Sequence, residues 1–177
     1  MKETPQEYTQ RIMGHLEGQN ALKVQSATPA KLARMIRNSP PSLLRKPPAP
    51  GKWSVAEILA HLADTEIAVG FRLRMIVATP GVPIQAFAQD AWASAMDYSR
   101  RNPKKSIEHF RAVREINLAL LKQIKPEQWK HFGMHAERGE ESIEHIVRLI
   151  AGHDLNHTRQ IEAILESAKK PRKNKPK

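Results

Sequence analysis

Two histidines, His153 and His157, have a residue type and a spacing that could support chemistry, because imidazoles one helical turn apart can bind the same metal ion. They belong to a run with helical periodicity, from Ser142 to Ala168, and residues four apart on a helix lie on one face. His157 falls near the centre of the apolar stripe of this helix, Asp154 well inside it and His153 toward one edge. Buried polar groups need partners, so each of these side chains requires a hydrogen bond, an opposite charge or a metal ion.

A third histidine, His61, lies at the margin of the apolar stripe on a second periodic helix. That helix is predicted to begin at Ser54, because Ser54 and Glu57 have the spacing of a capping box and Trp53 can act as a hydrophobic staple. It is expected to end near Thr79. Two histidines from one helix and one from a facing helix would form a three-nitrogen site, the pattern of catalytic centres that keep a position open for water or substrate. The alternative is that these are core histidines hydrogen-bonded to carboxylates or carbonyls.

Two carboxylates and one guanidinium are also predicted to face the core. Glu66 and Asp154 lie on core-facing arcs, and Arg114 lies in the middle of the apolar face of another helix. A ligating histidine usually donates its other ring N–H to a carboxylate or carbonyl, so these three residues are candidates for orienting the histidines or contacting substrate. The alternative is an ion-pair network that stabilises the bundle. Asp64 is expected to point away from the stripe and to be solvated, and no further catalytic residue is assigned.

A second pair of histidines, His131 and His135, has the same spacing but straddles Gly133 in a predicted loop. Eight histidines in 177 residues make one such pair unsurprising on counting alone. Since nothing fixes the geometry of the loop, we interpret this pair as incidental.

The composition limits both the ligands and the location of the protein. The sequence contains no cysteine, which excludes disulfides, thiolate ligands and cysteine nucleophiles. Imidazole ligands suit zinc, nickel, copper or iron, and we expect a divalent ion, zinc or nickel. No apolar run approaches the roughly 20 residues of a membrane span, and the N-terminus lacks the apolar core of a signal peptide. We therefore expect a cytoplasmic protein.

Much of the net charge of +11 lies in the last nine residues, KKPRKNKPK. They carry six positive charges, which leaves +5 (11 − 6) on the rest of the chain. We expect residues 1–168 to form one domain and residues 169–177 to be a basic, disordered tail, with weak contact to an anionic polymer or membrane surface as an alternative role. No groove-reading motif is visible and aromatic residues make up only 5%, so specific nucleic-acid binding is not expected.

The long segments of the chain have a helical period, and no convincing alternating strand is present. Helices are predicted at about 5–18, from 28 to before Pro40, at 54–79, at 104–123 and at 142–168. The sequence therefore predicts an all-α four-helix bundle with short extra helices. Residues 80–103 would form a long crossover excursion, which could cover the site or carry a dimer contact.

Two segments resemble the signatures of the DinB/YfiT-like family. Residues 52–66, KWSVAEILAHLADTE, match the first in the pattern W-S-x-x-E-x-x-x-H, and residues 153–161, HDLNHTRQI, match the second through H-x-x-x-H. The pair is more specific than either half, and the resemblance extends over about residues 5–168. Members of this family are four-helix bundles with a divalent metal ion on three histidines, so the resemblance implies that His61, His153 and His157 are metal ligands.

The resemblance implies a range of functions. Several relatives are S-transferases that use bacillithiol, mycothiol or glutathione, one is a mycothiol-dependent isomerase, others have been proposed as metal-dependent hydrolases, and many have no known activity. Our leading hypothesis is a metal-dependent S-transferase that activates a low-molecular-weight thiol for attack on a small-molecule substrate. The alternatives are a metal-dependent hydrolase on the same centre and a non-enzymatic metal-binding stress or interaction protein. A homodimer is also expected, because bundles of this family often pair.

Overall fold

The computed structural model describes residues 3–169, so the predicted basic tail lies, apart from Lys169, outside the described residues. Within residues 3–169 the chain forms seven α-helices, two 3-10 helices and three short strands. The α-helices are α1 (Pro5–Gly14), α2 (Ala21–Ile36), α3 (Pro41–Leu44), α4 (Val55–Ala78), α5 (Gln89–Ala95), α6 (Pro103–Gln123) and α7 (Ile143–Lys169). The strands are β1 (Val82–Ile84), β2 (Phe132–His135) and β3 (Gly139–Ser142), and the 3-10 helices are Tyr98–Arg100 and Pro126–Lys130. In this part of the chain, no helix is both long enough and apolar enough to cross a membrane.

Four of the helices, α2, α4, α6 and α7, form the bundle that the sequence predicts. α4 packs along α6, α2 packs against both α6 and α7, and α7 also contacts α4. The predicted capping box begins α4, because the backbone N–H of Ser54 donates to Glu57 Oε2 at 2.7 Å and the backbone N–H of Glu57 donates to Ser54 Oγ at 3.3 Å. These bonds satisfy donors that the first turn of a helix leaves unpaired.

The second bundle helix begins earlier than predicted. We expected it to open at Thr28, but α2 begins after Asn20, whose side-chain oxygen accepts a hydrogen bond from a backbone N–H of the first turn at 2.9 Å. Pro29 therefore lies inside the helix, where its missing N–H leaves the carbonyl of Gln25 without its usual partner. Arg114 of α6 replaces that partner, because its Nη1 donates to the Gln25 carbonyl oxygen at 3.0 Å.

A small three-stranded sheet is the part of the fold that the sequence did not predict. β1 pairs in parallel with β2, with Val82 opposite Gly133, and β2 pairs in the antiparallel direction with β3. Each strand has only three or four residues, which is too short for an alternating pattern to stand out. Gly133 lets the strands pack closely, because a Cβ there would lie 2.6 Å from the side chain of Ile84 and 3.0 Å from the carbonyl oxygen of Val82. The sheet holds the β2–β3 hairpin beside the start of α7.

The predicted excursion at residues 80–103 lies against α4, which it contacts through β1, α5 and the 3-10 helix Tyr98–Arg100. This packing corrects our expectation for Asp64, which is buried rather than solvated, with 7% of its surface exposed. The Tyr98 hydroxyl donates to Asp64 Oδ2 at 2.8 Å, and Arg101 donates to Asp64 Oδ1 at 2.8 Å. The periodicity of α4 indicated only which face meets the bundle, so it could not reveal that another segment covers this side.

A buried polar layer divides the core of the bundle into two apolar clusters. One cluster joins the end of α2, the first half of α4, the first half of α6 and the end of α7, and includes Ile58 and Phe110. The other joins the later parts of α4 and α6 to β1 and the first half of α7, and includes Ile76 and Ile150. The polar side chains of this layer include His61, Thr65, Glu66, Arg114, Asn117, His153, Asp154, His157 and Thr158. Most of the predicted site residues lie in this layer.

Candidate metal centre

The three predicted histidines meet at the buried polar layer. His61 comes from α4, and His153 and His157 come from successive turns of α7. The Nε2 atom of His153 lies 3.1 Å from that of His61 and 3.1 Å from that of His157. The exposed fractions of the three residues are 2%, 7% and 8% for His61, His153 and His157. Among residues 3–169, they form the one group of three or more potential ligand side chains whose ligating atoms all lie within 4.8 Å of one another.

Burial keeps these imidazoles neutral. It lowers the pKa of His61 to about 3 and the pKa of His157 to about 4, and it lowers the pKa of His153 well below its ordinary value. Repulsion from the other protonated rings is a smaller contribution to the lowered pKa values of His61 and His153. A neutral imidazole offers the free lone pair that binds a metal ion. At pH 7 the three side chains are therefore in the form that a metal site requires.

Two residues outside the predicted site, Gln160 and Trp53, contact and orient the histidine rings. The Nδ1 atom of His157 lies 2.9 Å from Oε1 of Gln160, so this nitrogen carries the proton and Nε2 keeps the lone pair. The indole of Trp53 packs against the ring of His61, with 5.0 Å between the ring centroids. The i,i+3 spacing from His157 could have identified Gln160. Trp53 was predicted as a staple, but its contact with His61 depends on how the chain enters α4.

Two of the three nitrogen separations within the cluster are close to those around a tetrahedral metal ion. Zinc–imidazole bonds of about 2.0–2.1 Å at a tetrahedral angle place neighbouring nitrogens about 3.3 Å apart. The observed separations of 3.1 Å on either side of His153 are close to that value. Three nitrogen ligands leave the coordination sphere incomplete, so a fourth ligand can come from the adjoining space.

A cavity of about 320 Å³ adjoins the cluster, and His61 and His153 form part of its wall. This volume is at the lower end of the range for small-molecule sites. The start of α7 contributes apolar side chains, α4 and the β2–β3 turn contribute charged ones, and α1 contributes Tyr8. α1 can approach α7 here because residue 152 is glycine; a Cβ on Gly152 would lie 2.1 Å from the carbonyl oxygen of Ile12.

The predicted guanidinium and carboxylates form a buried network in the same layer. Arg114 donates to the two oxygens of Asp154 at 2.6 and 3.0 Å, and its Nη2 lies 2.8 Å from Oε2 of Glu66. The side-chain amide of Asn117 donates to Oε1 of Glu66 at 2.8 Å. Burial alone would lower the pKa of Arg114, but Asp154 and Glu66 raise it above its ordinary value, so the guanidinium stays charged. Burial raises the pKa of Asp154, and Arg114 opposes that shift.

This network connects α4, α6 and α7 around the histidines. Within the described residues, the hydrogen bonds of Glu66 and Asp154 go to Arg114 and its neighbours, and neither carboxylate bonds to an imidazole. The two carboxylates therefore act on the histidines through the positions of the helices. Contact of Glu66, Asp154 or Arg114 with a substrate stays a prediction.

The second histidine pair does not join the cluster. His135 lies in β2, where it is buried, and its Nδ1 accepts a hydrogen bond from the backbone N–H of Glu137 at 3.1 Å. His131 lies just before the same strand. The pair therefore lies outside the cluster, as interpreted, but the segment around Gly133 is a paired strand and not the predicted loop.

Comparison with known proteins links the chain to one superfamily. The model of the DinB superfamily matches residues 26–161, which is more than half of the chain. YfiT from Bacillus subtilis, whose name gives metal-dependent hydrolase as its supposed activity, is 26% identical over 143 residues, which cover 79% of this chain and 79% of YfiT. A protein from Bacillus mycoides with the same supposed activity in its name is 24% identical over 138 residues, which cover 78% of this chain and 79% of that protein.

The fold also matches a solved structure. The chain is similar to YfiT from Bacillus subtilis, described as "a probable metal-dependent hydrolase with an unusual four-helix bundle topology", with a TM-score of 0.79 and 22% identity. The match covers 84% of this chain and 85% of the YfiT chain, and at this identity it concerns the fold. The predicted four-helix bundle and the predicted family are thereby confirmed. Since the family match extends over both histidine helices, the chain belongs to the DinB superfamily.

Proposed function

We propose that this protein is a metal-dependent enzyme that activates a low-molecular-weight thiol for transfer to a small electrophilic substrate. The observation that carries the proposal is the convergence of three neutral imidazole nitrogens, from His61, His153 and His157, beside a cavity. A divalent ion in such a site supplies Lewis acidity, which lowers the pKa of a thiol or water molecule that binds next to it. We propose zinc or nickel as the ion, since both are among the divalent metals that imidazole ligands suit.

The residues of the protein position this chemistry and limit access of water. Gln160 Oε1 accepts a hydrogen bond from Nδ1–H of His157. This bond orients the ring so that the Nε2 lone pair points toward the centre. Ile146, Leu149 and Ile150 form an apolar wall of the cavity. Charge interactions are stronger beside such a wall than in bulk water, because fewer water molecules screen them.

The positions of the carboxylates favour a thiol over water as the nucleophile. Glu66 and Asp154 bond to Arg114, so neither is free to accept a proton at the cluster. A thiol has an ordinary pKa of about 8.5 and can lose its proton near a cation without a dedicated base. In the transfer, the thiol proton passes to solvent, the sulfur forms a bond to the electrophilic carbon, and the leaving group departs with its electron pair.

Hydrolysis at the same centre is the second candidate, because the names of the similar proteins from Bacillus subtilis and Bacillus mycoides favour it. It uses the same three histidines and cavity, with water in place of the thiol. A non-enzymatic metal-binding protein is the alternative in which the site is present but no substrate turns over.

The first experiment measures metal content by plasma mass spectrometry on the full chain, purified without a histidine tag. We expect about one metal ion per chain in the parent and in His131→Ala, which changes a histidine outside the cluster, and little in His61→Ala. Circular dichroism shows whether each variant is folded. Retention of stoichiometric metal by folded His61→Ala would contradict the proposed centre.

The second experiment separates the candidate reactions on metal-loaded protein. Glutathione with an alkyl halide tests S-transfer through formation of the thioether, and a p-nitrophenyl ester without thiol tests hydrolysis. Thioether formation that requires the metal supports S-transfer, and metal-dependent ester cleavage alone supports hydrolysis. Metal binding without turnover of any thiol or ester favours the non-enzymatic alternative.

We also keep the homodimer as a proposal that rests on the family resemblance. Sedimentation velocity of the full chain tests it directly, because a dimer has twice the mass of the 20.1 kDa chain. A single species with the mass of one chain would contradict it.

A further inference from the structure

We propose that Arg72 binds an anionic group of the substrate, so that this protein acts on a small molecule that carries a carboxylate or a phosphate. The inference rests on the proposed function, because it names the substrate class of the same cavity. It is carried by the position of Arg72, by its contacts and by the absence of a paired carboxylate in the described part of the chain.

Arg72 and His61 line the same cavity from the same side of α4. Eleven residues separate them, which is about three helical turns, and Thr65 and Val69 line the wall between them. The rise over this distance is about 16 Å, and helical side chains tilt toward the N-terminus, which brings the long arginine side chain back toward His61. A substrate that reaches both residues is therefore elongated, with its anionic group away from its reacting atom.

The guanidinium of Arg72 is held in place without being neutralised. Its Nη2 donates to the carbonyl oxygen of Gln85 at 2.6 Å, and its central carbon lies 5.5 Å from the centroid of the Phe87 ring. Among residues 3–169, no carboxylate lies within ion-pair distance of Arg72. A fixed guanidinium without an ion-pair partner among these residues is preorganised for carboxylate or phosphate, which its planar fork can bind through two hydrogen bonds.

The electrostatic surroundings of Arg72 also favour an anion. Burial lowers the pKa of Arg72, the positive charge of Arg138 lowers it further, and the negative charge of Glu141 opposes this shift only in part. The guanidinium remains protonated at neutral pH, so the free protein carries a charge that its surroundings disfavour. An anion beside Arg72 would compensate that charge.

The carboxylates of the cavity wall do not cancel this effect. Glu141 accepts two hydrogen bonds from Arg138, at 2.6 and 3.0 Å, and Glu3 is paired with Arg11 at 2.7 Å. Glu137 is exposed on the β2–β3 turn and has no ion-pair partner among the described residues. Glu137→Gln removes a negative charge from the same cavity, whereas Arg72→Gln removes a positive one. It therefore provides a control in which the charge changes in the opposite direction.

The test measures binding of small anions to the full chain by isothermal titration calorimetry. The probes are glutarate, inorganic phosphate and the uncharged analogue glutaramide. Hydrogen bonds to charged groups typically contribute a factor of about 10 to 100 in affinity. We therefore expect Arg72→Gln to weaken binding of the preferred anion at least about tenfold, and Arg72→Lys, which keeps the charge but loses the fork, to have an intermediate effect.

Two control variants define the result. Arg34→Gln makes the same change of charge at an exposed position of α2 and should leave the affinity unchanged, and Glu137→Gln should not weaken it. The preference for glutarate or phosphate identifies which anion the subsite takes. The inference would be overturned if the parent and Arg72→Gln bound the anion equally, or if Arg72→Gln and Arg34→Gln lost the same affinity. It would also be overturned if glutaramide bound as well as the anions, or if no probe bound to the parent.

Metal content measured on the same preparations separates this inference from the proposed function. Anion binding that depends on Arg72 in protein that takes up no metal ion would support the subsite and contradict the proposed centre. Full metal content with anion binding that is independent of Arg72 would support the centre and overturn the subsite.

Discussion

The buried histidines should make the metal-free protein lose stability between pH 7 and pH 5. A histidine in the unfolded chain has a pKa of about 6.5, whereas burial lowers the pKa of His61 to about 3 and that of His157 to about 4. Between these values the unfolded chain binds protons that the folded chain does not, so the free energy of unfolding decreases as the pH falls. The stability associated with the neutral rings is therefore present above about pH 6.5 and is lost toward pH 4.

The size of this loss follows from the same pKa values. At pH 5 an unfolded histidine is almost fully protonated, while His61 and His157 remain neutral in the folded protein. One pKa unit corresponds to about 1.4 kcal/mol, so the difference of about 1.5 units between pH 5 and the unfolded pKa amounts to about 2 kcal/mol for each histidine. Together the two histidines lower the free energy of unfolding by about 4 kcal/mol, a large part of the roughly 5–15 kcal/mol that stabilises a typical domain.

Urea unfolding of chelator-treated protein at pH 7 and at pH 5 measures this loss. The matched control is the double variant His61→Gln, His157→Gln, in which these two positions cannot be protonated. Other histidines and carboxylates titrate in both proteins, so the difference between the two pH effects isolates His61 and His157. We expect the parent to lose about 4 kcal/mol more than the double variant. Equal losses would refute the conclusion that these rings are buried in their neutral form.

Two further predictions concern the surroundings of the centre. Arg114→Met should lower the free energy of unfolding by about 3–5 kcal/mol, because it leaves two buried carboxylates without a cation. Adding Glu66→Gln and Asp154→Asn should recover much of this loss in urea unfolding, and equal instability of the single and triple variants would contradict the ion-pair argument. Gly152→Ala should destabilise the protein by about 1–3 kcal/mol, since its Cβ would meet the backbone of α1. Gly14→Ala should not destabilise the protein, because no atom lies within 4 Å of the added Cβ. Equal melting temperatures for the two variants would exclude the close contact between Gly152 and α1.

The bundle and its histidines could be predicted because their signals lie within single helices. The periodicity of α4 and α7 extends over 24 and 27 residues, long enough to define a buried face. His153 and His157 lie one turn apart on such a face, so their meeting required no knowledge of the tertiary fold. His61 needed one further assumption, that α4 faces α7, which the predicted bundle allowed and the family resemblance supported.

The features that were missed depend on contacts between distant segments. Asp64 is buried because Tyr98, 34 residues later, donates a hydrogen bond to it. The proline inside α2 is accommodated because Arg114, 89 residues after Gln25, bonds to the free carbonyl. Helical periodicity describes one helix at a time. It therefore does not show which segment covers an outer face, or which side chain bonds to a backbone carbonyl that a proline leaves unpaired. That Arg72 has no ion-pair partner within residues 3–169 likewise became visible only once its neighbours were known.

The hydrogen bonding of the histidine cluster gives an independent reason for a cation at its centre. Nε2 of His153 contacts both Nε2 of His61 and Nε2 of His157, and a neutral ring nitrogen has either one proton or one lone pair. Because Nδ1–H of His157 donates a hydrogen bond to Oε1 of Gln160, the Nε2 atom of neutral His157 carries a lone pair and can only accept. A proton on Nε2 of His153 can serve one neighbour well but not both, and a lone pair there would face the lone pair of His157. Thr65 Oγ1 lies 3.4 and 3.5 Å from the two ring nitrogens of His61 and is a weak further partner for that ring. The three Nε2 atoms cannot all satisfy one another, whereas one cation can accept all three lone pairs.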